Sequence, residues 1–148
     1  MIARARDELG FAGGLAGLLF GVLIFVFGTV LVAYGWAVVQ TKAAVVDAAR
    51  QAARTYVEAP DSLDAYESAR GAAYASLAAK DRNPAHAALR IATGGFGRCE
   101  RVTITVSYPA PAVVFPLGSL LGGSTVKAEH SEIIDPYRSG LPGSAACG

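Results

Sequence analysis

Residues 11–39 restrict this chain more than any other stretch. They read FAGGLAGLLFGVLIFVFGTVLVAYGWAVV and contain no Asp, Glu, Lys, Arg, His, Asn, Gln or Pro. The charge-free stretch is longer still, from Leu9 through Thr41. About 20 apolar residues suffice for a helix to cross a hydrocarbon core of about 30 Å. At about 1.5 Å per residue the run reaches roughly 43 Å, enough to cross with tilt. Tyr34 and Trp36 fall where an aromatic belt meets the far interface. A cleaved secretory signal is the rival reading, but its apolar core is usually about 7–15 residues. No A-x-A-like site follows closely here. The run is read as a transmembrane helix, which makes the membrane the first partner.

The glycines inside the run are ordered. Gly14, Gly21, Gly28 and Gly35 recur every seven residues, a spacing that drifts only about 20° per repeat on an ideal helix. Gly17 falls on the same face, and Gly13, Gly17 and Gly21 form two overlapping GxxxG patterns. Small residues let helix backbones approach closely in lipid, where association depends on packing. Membrane helices are also richer in glycine generally, but the heptad register points to a helix-packing face. Other transmembrane helices are therefore expected partners.

The rest divides around this span. Residues 1–10 form a short head whose Arg4 and Arg6 favour a cytoplasmic N-terminus; Lys42, Arg50 and Arg54 beyond the span weigh against it. Residues 40–148 are enough for one small domain. No breaker separates the span from 37–58, AVVQTKAAVVDAARQAARTYVE, in which Ala44, Ala48, Ala52 and Tyr56 recur at i+4. One continuous helix from about residue 11 to 58 is expected, ended by Pro60. A second helix starts at Asp61 or Ser62 as cap. Its apolar side is read as Leu63, Tyr66, Ala69, Ala73 and Leu77, and Asp81-Arg82-Asn83-Pro84 stops it.

Beyond it, 89–93 reads as a short strand and the glycine-rich 94–97 as a turn. Residues 101–108, RVTITVSY, alternate Val102, Ile104, Val106 and Tyr108 against Thr103, Thr105 and Ser107, the period of a half-buried strand. Residues 126–134 read as a returning strand. The apolar 112–123 segment between them is read as a loop that folds over the sheet or touches a membrane or partner. The fold class is α+β: a long N-terminal transmembrane helix continuing into a soluble helix, a second helix, and a small antiparallel sheet of about three strands.

Chemistry is sparse. His130 and Glu132 share a strand face, either as an acid/base pair or as part of a polar sheet surface. The serines lack a GxSxG elbow, and 94–97 lacks the GK[ST] ending of a phosphate loop. No enzyme activity and no cofactor are expected. The net charge of +1 lacks the clustered basic face of a nucleic-acid binder. Cys99 and Cys147 have no CxxC partners and lie far from His86 and His130, so no metal site is expected. Outside the cytoplasm, Cys99 and Cys147 can form a disulfide; in a reducing compartment they stay free thiols.

The order of parts carries a resemblance: a charged head, an apolar helix running into VVDAARQAAR, a Gly-Cys boundary before VTITVSY, and AEHSEIIDPYRSGL near the end. In these the chain resembles the TadE-like family, minor pilins or pseudopilins of tight-adherence (Flp-type) pili, over nearly its whole length. The resemblance implies a bitopic protein of the cell membrane, N-terminus inside, with an extracytoplasmic α+β domain and a non-catalytic role in pilus assembly. It also implies prepilin peptidase as a partner, with Gly10 and Phe11 as the possible processing junction. The family's glutamate five residues beyond the cut is absent, because Leu15 stands there. That departure favours an unprocessed, membrane-retained helper. The alternative function is a single-pass, membrane-anchored ligand-binding or adaptor module.

Overall fold

The structure is a computed structural model that describes residues 3–110, 113–115, 118–121 and 124–147, and the side chains of residue 14, of 16–110 and of 124–147. The chain is α+β, with helix α1 (Ala3–Glu58), helix α2 (Ser62–Ala78), a 3-10 turn (Pro84–His86), and strands β1 (Ala88–Thr93), β2 (Arg101–Pro109), β3 (Val113–Phe115), β4 (Gly118–Leu121) and β5 (Thr125–Ile133). Two compact units divide it, Met1–Ala37 and Val38–Gly148. The first unit is α1 alone among the described residues.

In the second unit, α1 buries Ala44, Val45, Ala48, Ala49, Ala52, Ala53 and Tyr56, as its i+4 pattern anticipates. Alanine loses no side-chain entropy in a helix and lets a neighbour approach closely. The buried line of α2, Ala65, Ala69, Ala73 and Leu77, joins the same core cluster. A short turn through Ala59-Pro60-Asp61 joins the two helices, and the Lys80 ammonium pairs with the Asp47 carboxylate near the other end. They form an antiparallel pair. Asp61 is the cap: its carboxylate accepts from the Leu63 and Asp64 amides at 2.9 and 3.0 Å. The expected apolar side of α2 needs correcting at its start, because Leu63 and Tyr66 face solvent. Bulk suggested them, but the buried line of α2 runs through Ala65.

The sheet is antiparallel in the order β1-β2-β5. Ile104 pairs with Ile91 on one side and His130 on the other. Val102, Ile104, Val106 and Tyr108 face the helices and are buried, whereas Thr103, Thr105 and Ser107 face away. Ile134 extends the ladder past β5: its amide donates to Glu100 O at 2.9 Å and its carbonyl accepts from the Cys99 amide at 3.0 Å. The 112–123 segment departs from the expected loop in containing β3 and β4, which pair with each other as a separate two-stranded ribbon. What that ribbon's side chains touch lies outside the described residues.

Candidate functional site

No group of three or more His, Cys, Asp or Glu side chains is placed to hold a metal among the described residues. His130 Nε2 and Glu132 Oε1 lie 3.3 Å apart, each side chain about one-third exposed. They sit on the helix-facing side of β5, opposite Ile104 and Val102, rather than on an open polar surface. Arg54, across from them on α1, is held above the usual arginine range first by its 3.0 Å hydrogen bond to Glu58. The charge of Glu58 and, more weakly, that of Glu132 add to this. The pair is a polar contact at the edge of the core.

The apolar half of α1 is different in kind. Its apolar stretch is not buried, and among the described residues α1 is the one helix long and apolar enough to cross a membrane. Gly14, Gly17, Gly21, Gly28 and Gly35 all lie on this helix, within a sector of about 60° at 100° per residue. A Cβ added at any of them would meet nothing within 4 Å. The sequence reading missed what stands between them. Leu18, Phe25 and Val32 lie four residues after Gly14, Gly21 and Gly28 and three before the next glycine. They are 65%, 74% and 74% exposed. The seam Gly-Leu-Gly-Phe-Gly-Val-Gly thus alternates notch and knob at 4-3 spacing, the register in which knobs of one helix enter holes of another. Counting large residues at the same spacing as the glycines would have found it. Gly28 also opens the side of a shallow apolar depression lined by Leu23, Ile24, Phe27 and Leu31.

A second constellation fastens the other unit. Cys99 and Cys147 are joined by a disulfide, with Cα atoms 5.2 Å apart across a separation of 48 residues. The Arg98 amide donates to Pro142 O at 2.8 Å, and Arg98 Nε donates to Arg138 O at 2.8 Å. The Arg138 guanidinium in turn donates to the carbonyls of Val57, Glu58 and Ala59. Those are carbonyls a helix end leaves without partners. Gly143, at φ 108°, lies against Arg98: a Cβ there would come within 3.2 Å of Arg98 O. Nothing in the sequence marked Arg138, whose partners are 79 to 81 residues away. The Gly10–Phe11 junction lies within α1, but its side chains fall outside those described.

Comparison with protein-family models, with curated proteins and with solved structures returns no match.

Proposed function

We propose that this chain is a non-catalytic, single-pass membrane protein that works by packing its apolar helix against other transmembrane helices. In the resemblance to TadE-like chains, that role is a minor pilin, pseudopilin or assembly factor of a tight-adherence pilus. The observation that carries the reading is the seam of α1, glycine notches alternating with Leu18, Phe25 and Val32, all open to contact. A tether needs only apolar length; a regular notch-and-knob edge adds something solely when another helix meets it. The Cys99–Cys147 bond suits a domain held on the oxidising side of the membrane, with the N-terminus inside. Leu15 offers no carboxylate to pair with a neighbour's amine in lipid, so the chain is retained unprocessed and relies on the seam. Mass spectrometry of the mature N-terminus reads this directly.

The test is Gly21→Ile with Gly28→Ile in the full chain, followed by crosslinking in membranes and by scoring surface pili. Both positions have room for a side chain in the isolated helix, so the helix forms and inserts as before. Loss of helix–helix adducts and of piliation is expected. Unchanged adducts with unchanged pili would remove the support for an assembly role.

A further inference from the structure

The helices of the second unit lie against one face of the sheet, and among the described residues nothing covers the other. Thr103, Thr105 and Ser107 line the middle of that outer face, and with Ala92 they floor a shallow depression of about 670 Å³. Its floor is built of small side chains. Its rim is charged: Arg90 on β1 and Lys127 on β5, both exposed, stand against the single carboxylate of Glu129. None of these three forms an ion pair among the described residues.

On the helix side of the same unit, the corner between α1 and α2 has the opposite character. Glu58, Asp61, Asp64 and Glu67 gather there, and Arg54 is committed to Glu58. Among them Leu63 stands 81% exposed, next to Asp64 and one helical turn before Glu67. An apolar knob of this size in the first turn of a helix covers no core residue among those described. Leu63 matches the trough of small side chains in size, and its ring of carboxylates matches the cationic rim in sign.

We propose that the outer sheet face of one copy receives the α1–α2 corner of a second copy. Leu63 sits over the Thr103–Thr105 floor, with Asp64 and Glu67 against Arg90 and Lys127. The two patches lie on opposite layers of one unit, so the contact is heterologous and passes from copy to copy, head to tail. Exposed ion pairs are individually weak, and the apolar seat of Leu63 supplies the contact that they orient. The inference rests on the assembly reading for its setting, but it names the partner of the folded unit and uses none of the residues of the apolar helix.

The experiment places a photoreactive residue at Ala92 in the full-length chain in lipid bilayers, with a second probe at Val32 on the apolar helix as a separate report. Illumination at Ala92 is expected to give an adduct of twice the chain mass whose joined peptide covers residues 58–67. Arg90→Glu with Lys127→Glu lowers its yield at least about tenfold, and mixing with Asp64→Lys, Glu67→Lys copies restores it. Leu63→Ser, at a site with no packing to lose, lowers it as well. Thiol labelling verifies that each variant keeps the Cys99–Cys147 bond. No adduct at Ala92, an adduct to a different protein or surface, or indifference to charge reversal each overturns the proposal. Val32 adducts that persist while those at Ala92 vanish sink the head-to-tail contact alone; the reverse pattern sinks the helix-packing reading alone.

Discussion

Replacing both Cys99 and Cys147 with serine removes the one covalent constraint on the second unit, and its cost follows from the loop it opens. The bond spans 48 residues. In the chain-entropy treatment, a loop of that length restricts the unfolded chain by about 4 kcal/mol at 25 °C. The unit Val38–Gly148 has 111 residues. An unfolding entropy of about 2.1 cal/mol/K per residue converts this into a fall in Tm of roughly 17 °C. Circular dichroism of the full chain in detergent, oxidised against the double-serine variant, measures it, and denaturant titration gives the free energy independently. The loss should appear with little change in far-ultraviolet signal at low temperature, because the bond acts mainly on the unfolded state. A stability loss under about 1 kcal/mol would refute the reasoning. It would mean that the unfolded chain already holds these ends together, or that the hydrogen bonds of Arg98 and Arg138 make the bond redundant.

Other perturbations follow from the same contacts. Arg138→Ala strips three carbonyls at the end of α1 of their donor; a loss of about 2 kcal/mol is expected by denaturant titration, part of the cost being met by water. Leu77→Ala opens a cavity at a fully buried position and should cost about 2–5 kcal/mol. Asp61→Ala removes two capping bonds from α2 and should cost about 1 kcal/mol, with hydrogen exchange quickening first at the Leu63 and Asp64 amides.

Much of the architecture was legible in the sequence because periodicity is a local property. The alternation over residues 101–108 fixes which side of β2 is buried before any partner is known. The i+4 alanines of α1 likewise name their own buried face, and Asp61 signals its helix start. The start of α2 was not legible. Leu63 is larger and more apolar than Ala65, yet it lies exposed while Ala65 is buried, since the side of α2 that meets the core is set by the distant chain packed there rather than by local bulk. His130 and Glu132 were assigned to one strand face correctly in register. That this face looks toward the helices depends on the β2–β5 pairing rather than on the local pattern.

By itself, then, the sequence determined the apolar length of α1, the register of its glycines and the alternation of its strands, since each depends on residues a few positions apart. The tertiary structure decided that Arg138 closes the end of a helix some 80 residues earlier. It decided that Cys99 meets Cys147 and that, among the described residues, the helices cover only one face of the sheet. Those outcomes depend on which distant surfaces come to lie against one another, and chain spacing carries no record of that.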